Sequence, residues 1–267
     1  MSDKSLNLPL GSEHLLLEQA LRDYTEGSYK SARNIWTELA ARGNQEACYR
    51  IGHMYYYGKG VDVDYQNATA NFILAGKHEK ALEWLGYIYE NGQGTKQDYW
   101  KSIECYEASA NLGSTYATTR LGLFHYRGNG VKENSKRALE YFRRAEAEGD
   151  AIATYYVGHI HFFGNGCNVD YVVAFQAFRK SASLGDVDAQ YMLGVCHARG
   201  TGVIQSHEIA LDYYEKAANG GSSKAQLVLG RAYETGYLRP YSASKARELY
   251  LSAKGNLKMA DDFLRRM

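Results

Sequence analysis

The sequence predicts an all-α protein, a solenoid of stacked antiparallel helix pairs. Three observations predict it: a phrase that returns at a near-constant period, a capping residue that returns in register with it, and a scarcity of proline. The phrase is an apolar residue followed by glycine, at Ile51-Gly52, Leu85-Gly86, Leu121-Gly122, Val157-Gly158, Leu193-Gly194 and Leu229-Gly230. Its glycines are separated by one step of 34 residues and four of 36. A fixed period of this size marks one supersecondary unit stacked many times, each unit burying its apolar face on its neighbours. Only 2 prolines among 267 residues leave long helices uninterrupted. Length alone would suggest about two domains; stacked repeats instead share one core that grows in one dimension.

Residues 1–11 read as a tail. Residues 12–43 read as a capping helix (Ser12 to Glu26) followed by a partial repeat. Residues 44–255 read as six full repeats, and 256–267 as a C-terminal capping helix carrying Leu257, Met259, Ala260, Phe263 and Leu264. Within a repeat, the first helix is typified by Ala189 to Arg199, where Ala189, Leu193 and Cys196 or His197 fall on one inward stripe. Glycine in mid-helix costs about 1 kcal/mol against alanine. Its return as Gly194 and its counterparts therefore implies close helix–helix contact. The helix should end at Gly200 in a left-handed conformation. A short turn follows, seen as Gly58-Lys-Gly-Val61, Gly92-Gln-Gly-Thr95, Gly128-Asn-Gly-Val131, Gly164-Asn-Gly-Cys167 and Gly200-Thr-Gly-Val203. No third glycine, preceding strand or following Lys-Ser/Thr accompanies it, so it reads as structural rather than phosphate-binding.

Each second helix opens on a strong capping residue: Ser28, Asp64, Asp98, Asn134, Asp170, Ser206 and Ser242. A small residue stands four positions later, from Ala32 and Ala68 to Ala246, and the helix runs to Gly43, Gly113, Gly149, Gly185, Gly220 or Gly255. Two departures mark local changes. The 34-residue step is expected to shorten the turn around Ala75-Gly76-Lys77, and the last copy replaces Gly-x-Gly by Gly236-Tyr-Leu-Arg-Pro240.

The phrase A-x-x-x-L-G-x-x-Y-x-x-G-x-G-V, then D/N/S-x-x-x-A, closed by A-x-x-G, resembles the Sel-one-like repeat, a 36-residue relative of the tetratricopeptide repeat. The resemblance covers 44–255 as six copies, with Leu21 to Gly43 similar to a degenerate copy. It implies a right-handed α/α solenoid whose first helices line a concave surface. It also implies scaffold or adaptor roles and, in some bacterial members, immunity proteins that bind a toxin. One branch of the family carries an interhelical disulfide; Cys48, Cys105, Cys167 and Cys196 do not follow that spacing.

Composition narrows the function. Lys+Arg at 31 against Asp+Glu at 30 gives a net charge of +1, so nucleic-acid binding lacks its usual electrostatic driver. No charge run suggests a tail for a membrane surface. The N-terminal residues lack a signal-peptide pattern and no run of about 18 apolar residues occurs, so a cytoplasmic location and four free, mostly buried thiols are expected. Tyrosine is abundant, at 24 residues against 8 Phe and 3 Trp, so some rings must reach the surface or find hydroxyl partners.

Numbering the first helix from its Leu-Gly glycine as zero, positions −5, −1, +2 and +3 form the core stripe, and −3, +1 and +4 fall opposite at about 100° per residue. These opposite positions are rich in rings, which suits partner docking. The candidate partner-binding residues are Tyr49, His53, Tyr56, Tyr87, Tyr126, Tyr155, His159, Phe162, Tyr191 and Arg231, with Glu83 and Glu90 tuning orientation. At +3, tyrosine gives way to His125, His161 and His197. Packed helices about 8–10 Å apart cannot bring such residues within zinc-ligand distance, so they read as buried, hydrogen-bonded and pH-sensitive rather than as a metal site. No catalytic motif is found. The expectation is a non-enzymatic chain without cofactor or metal that binds a protein in its concave groove, as scaffold or regulatory adaptor. The alternative is an immunity-type inhibitor of a toxin or effector enzyme.

Overall fold

In the computed structural model, which describes residues 10–253, fourteen helices and no strand occur among the described residues. They fall into two compact units, one reaching Phe124 and taking in Asn129–Lys132, the other formed by His125–Gly128 and the residues from Glu133 onward.

The first unit holds α1 (Leu10–Thr25), α2 (Tyr29–Ala41), α3 (Gln45–Tyr57), α4 (Tyr65–Leu74), α5 (Glu79–Asn91), α6 (Tyr99–Asn111) and the start of α7 (Thr115–Arg127). The second holds the last residues of α7, then α8 (Ser135–Ala147), α9 (Ala151–Phe163), α10 (Tyr171–Ser183), α11 (Val187–Arg199), α12 (His207–Asn219), α13 (Ser223–Thr235) and α14 (Ala243–Ala253). From α1 to α6, and again from α8 to α14, each helix packs on its neighbours in sequence. This is the predicted α/α repeat. The expected N-terminal tail already gives way to helix at Leu10, and the expected C-terminal cap at 256–267 lies outside the described residues.

The repeated glycine of the first helix has a clear physical reason. A Cβ at Gly86 would lie 2.6 Å from the Tyr106 ring, and one at Gly158 would lie 2.8 Å from the Phe178 ring. The same seat holds Phe72 on Gly52, Tyr214 on Gly194 and Tyr250 on Gly230. A ring from the second helix thus sinks onto the backbone of the first. Its dispersion and burial offset the low helix propensity of glycine. The alanines at −5 (Ala47, Ala81, Ala117, Ala153, Ala189 and Ala225) are wholly buried on the same interface.

The second-helix caps hold where expected, from Asp64 Oδ1 accepting Asn67 N–H at 2.9 Å to Ser242 Oγ accepting Lys245 N–H at 3.3 Å. Such caps contribute about 1 kcal/mol each. Ser28 departs from the pattern. Its backbone sits at φ −77°, ψ 53° rather than extended, and its hydroxyl makes no capping bond. The first helices are capped too, by Asn44, His78, Ser114, Asp150, Asp186 and Ser222.

One further expectation changes. The 34-residue step does not shorten the turn at 75–77. It shortens the helix, since α4 has 10 residues where α6 has 13. In the fifth repeat the left-handed residue after α12 is Gly221 (φ +92°), while Gly220 stays at φ −78°. In the last copy Leu238 occupies the slot of the second turn glycine and adopts φ +54°.

Candidate functional site

The core stripe is wider than a single helix face. Position −4, outside the predicted stripe, is buried at Cys48, Thr118, Thr154 and Gln226. A first helix packs on its own partner and also on the adjoining repeat, so burial extends round both flanks. The open arc is displaced toward +1, −2 and +5. Position +4 suffers for it: Phe162 is only 5% exposed and packs on Tyr171 and Phe178, as a core residue rather than a surface ring. Its neighbour Phe163, at +5, is 52% exposed. Thr119 and Leu227 at −3 and Leu123 at +1 are buried as well.

In the first unit the open arc gathers around Trp84, a −2 residue outside the predicted set. Tyr56 lies 4.5 Å from its ring centroid, Tyr57 5.7 Å, Tyr87 5.9 Å and His53 6.0 Å. Tyr56 donates its hydroxyl to Gln93 Oε1 at 2.6 Å, and burial pushes its phenol up to about 12. Burial, helped by Arg50, lowers the pKa of His53. Tyr49 stacks on His78 at 4.6 Å and 16°. His78 accepts the Ala81 N–H at Nδ1, so its Nε2–H donates to Glu46 Oε2 at 2.8 Å. The hydrogen bond from His78 holds the Glu46 carboxyl down at about 2, with Arg50 contributing through a second contact at 2.6 Å. Glu83 and Glu90, expected to tune a partner's orientation, have partners inside the fold. Glu83 accepts from Ser114 at 2.5 Å and Lys80 at 2.9 Å, while Glu90 pairs with Arg120 and accepts from Tyr106.

In the second unit the arc gathers around His159. The Tyr126 hydroxyl and His159 Nδ1 are hydrogen-bonded at 3.1 Å. Phe163 lies 4.5 Å from the His159 ring, Tyr155 5.7 Å and Tyr156 6.2 Å. Tyr156, another −2 residue, stacks on buried Phe142 at 5.0 Å and 13°. Burial lowers the pKa of His159; Lys224 adds to this and Asp188 opposes it. Burial likewise raises the Tyr155 and Tyr126 phenols. Tyr191 is set apart, beside Tyr214 at 5.5 Å and under Lys224 at 5.9 Å. Arg231 is exposed at a separate pocket with Ala198, His207 and Tyr237. The missed residues Tyr57, Trp84, Tyr156 and Phe163 carried a readable signal. Positions −2 and +5 are seven residues apart, two helical turns, and share a face.

The three +3 histidines are buried but differently partnered. His125 stacks on Tyr141 at 5.5 Å and 8°, and His197 on Tyr213 at 5.5 Å and 13°. His161 Nε2 receives Arg143 at 3.2 Å, and its Nδ1 faces Cys167 Sγ at 3.6 Å. The hydrogen-bonded expectation fails at His197, whose Nδ1 is buried without a partner. No three metal-ligating groups are gathered among the described residues. All four cysteines are free thiols, Cys48 and Cys196 buried, Cys105 and Cys167 half-buried. No helix among the described residues is long and apolar enough to cross a membrane.

Comparison with known proteins agrees with this architecture. The family model of the Sel1 repeat matches residues 45–79, 79–114, 115–150, 151–186, 187–222 and 223–254. Protein sel-1 homolog 2 of Rattus norvegicus is 36% identical over 88 residues, which are 32% of this chain and 13% of that protein. The ERAD-associated E3 ubiquitin-protein ligase component HRD3A of Arabidopsis thaliana is 33% identical over 102 residues, 35% of this chain and 15% of that protein. The chain thus matches only a small part of the length of these relatives. The crystal structure of a Sel1 repeat protein from Oxalobacter formigenes superposes with a TM-score of 0.83 at 28% identity, covering 89% of this chain and 96% of that one. Sel1 repeats are in general non-catalytic and mediate protein–protein interaction. With six consecutive matches between residues 45 and 254, the chain belongs to the Sel1 repeat family.

Proposed function

We propose that this chain is a non-catalytic binding module that holds a protein partner on the open arcs of its first helices, as scaffold or regulatory adaptor. One observation carries the reading: in both units the rings at +1, −2 and +5 stay partly open to solvent although positions −5, −1 and +2 of the same helices are buried in every copy. Tyr57 and Phe163 are 48% and 52% exposed beside half-buried Trp84 and His159. Large rings with few rotors and a polar tip, fixed on rigid helices, are what protein interfaces use as anchors. Tyr49, His53, Tyr56, Tyr87, Tyr126, Tyr155 and His159 support the arcs, and Tyr191 and Arg231 extend the surface. Phe162 drops from the set as a core residue.

The test is affinity capture with two altered baits, Tyr57→Ala/Trp84→Ala for the first unit and His159→Ala/Phe163→Ala for the second, each checked for helicity by circular dichroism. A partner retained by the wild type and lost by either folded bait supports the reading; a partner retained by both overturns it. Capture of a single enzyme whose activity is abolished at equal stoichiometry would replace the adaptor role by an immunity-type inhibitor. A location in the cytoplasm belongs to the same proposal and is tested by cell fractionation.

A further inference from the structure

Tyr56, Tyr57, Trp84, Tyr87, Tyr116 and Glu83 line a cavity of about 410 Å³ within the first unit. Tyr57 stands at 88° to the Trp84 plane and Tyr87 at 80°, while Tyr56 is tilted at 49° on the same ring and at 71° to Tyr57. Five rings thus border one volume with their planes inclined to one another. Each face carries the negative lobe of its quadrupole and attracts a cation. The assembly is held from behind. Phe72 lies parallel to Trp84 at 6.2 Å and 9°, is wholly buried, and is seated on Gly52. Gln93 fixes the Tyr56 hydroxyl.

The hydrogen-bond inventory then selects among cations. A primary ammonium brings three N–H donors, each costly to bury without an acceptor. The carboxylate on this cavity, Glu83, already accepts from Ser114 and Lys80 through Oε1. A second primary ammonium would find Oε1 of this carboxylate already engaged, leaving Oε2 to meet three donors. A trimethylated ammonium has no N–H to satisfy, sheds water more readily, and offers methyl groups to the ring walls while keeping its charge. We propose that the Trp84 cavity is a receptor for a methylated ammonium group, the side chain of a methylated lysine on the protein partner. The cation chemistry stands on the cavity itself; its source in a protein rests on the preceding reading.

Calorimetric titration of the full chain tests it without any partner, so it can fail while partner capture persists, or hold while capture is lost. N-acetyl-trimethyllysine amide is expected to saturate with a Kd of about 1 mM, and N-acetyl-lysine amide at least about tenfold more weakly. Choline should bind at least about tenfold more tightly than its neutral isostere 3,3-dimethyl-1-butanol. Trp84→Leu keeps apolar bulk and should abolish saturation, whereas Trp100→Leu, at a 67%-exposed tryptophan outside the cavity, should not. If Trp84→Leu loses helicity, Tyr87→Leu takes its place, and the isostere comparison needs no variant. Equal binding of choline and isostere, equal binding of the two lysine forms, or saturation undiminished in a folded variant would overturn the proposal. Capture of the chain by phosphatidylcholine vesicles without binding of the trimethyllysine amide would overturn its protein source.

Discussion

The two open arcs occupy equivalent helix positions and differ in chemistry. Around Trp84 the central ring cannot titrate, and it is braced by Phe72 behind and Tyr57 and Tyr87 beside it. Around His159 the central ring is ionisable and is tied by a hydrogen bond to Tyr126. Position +4 shows the same divergence. Tyr56 carries a hydroxyl that needs Gln93 and so stays near the surface, whereas Phe162 carries none and sinks between Tyr171 and Phe178. One repeat backbone therefore supports two surfaces, which part at +4 into a half-buried tyrosine in one arc and a core phenylalanine in the other.

The largest expected effect separates core from surface within the second arc. Phe162→Ala should cost about 3–5 kcal/mol of unfolding free energy, the price of emptying a packed site. Phe163→Ala, one residue on and 52% exposed, should cost about 0.5 kcal/mol or less. Urea denaturation of both variants measures the gap. Equal costs would mean that +4 and +5 are not divided as the burial indicates, and the contrast with Tyr56 would dissolve.

The next effect asks whether the two arcs share one scaffold. Gly86→Ala drives a methyl group to 2.6 Å from Tyr106, and Gly158→Ala drives one to 2.8 Å from Phe178. Both should destabilise by about 1–3 kcal/mol, as overpacking does, despite alanine's better helix propensity. Similar losses in thermal or urea unfolding confirm a common seat under both surfaces. A loss at one glycine alone would trace the difference between the arcs down into the backbone contact.

That seat also shows what could be read from the sequence. The period, the caps and the turn glycines are local signals, each set by a few consecutive residues, and they located the helices closely. The partner of each glycine, an aromatic residue eight positions after the second-helix cap, was equally periodic at Phe72, Tyr106, Phe178, Tyr214 and Tyr250 but gained meaning only from the packing. The candidate site was half legible. Tyr56, Tyr87, Tyr155 and His159 fell on the expected face. Trp84, Tyr156, Tyr57 and Phe163 were missed because a helical period read alone puts the core on one stripe, while a repeat helix is buried on two sides. The shortening of α4 was invisible for a related reason: a two-residue deletion can be absorbed by helix or turn, and only the packed structure chooses.

Acid should act in two windows, a histidine window shared by both units and a carboxylate window in the first. Burial lowers the pKa of His125, His159 and His161 in the second unit and of His53 in the first. An unfolded histidine binds its proton near pH 6.5, before these folded ones do, so stability falls as pH drops below about 7 and continues to fall until the lowered folded pKa is reached. Glu46 has the carboxylate pattern. Its stabilising contribution is present above its ordinary value of 4.5 and is lost as pH falls toward about 2, damped because the group is partly exposed. Unfolding followed from pH 8 to 5.5 should show a decline that is shallower in His159→Gln. Glu46→Gln should leave that window unchanged and flatten the decline below pH 4.5. A wild-type stability that barely changes from pH 8 to 5.5 would remove the pH-sensitive role of the histidines.

The smallest expected effect lies outside both arcs and checks that strain has been placed correctly. Leu238 holds φ +54° in the slot where the other turns carry glycine, and it is 48% exposed. A left-handed non-glycine residue costs about 1–2 kcal/mol, whereas glycine meets no such penalty but makes the unfolded chain more flexible. Leu238→Gly should therefore stabilise by about 0.5–1 kcal/mol, read as a raised urea midpoint at unchanged slope. The neighbouring Arg239 pairs with Glu215 at 2.8 Å and Asp212 at 3.0 Å, so the turn has anchors that the substitution leaves intact. A destabilised Leu238→Gly would mean that the leucine side chain contributes more through contact than its backbone costs. The last turn would then be a third surface to set beside the two arcs, with exposed Tyr237 and Tyr241 flanking the leucine.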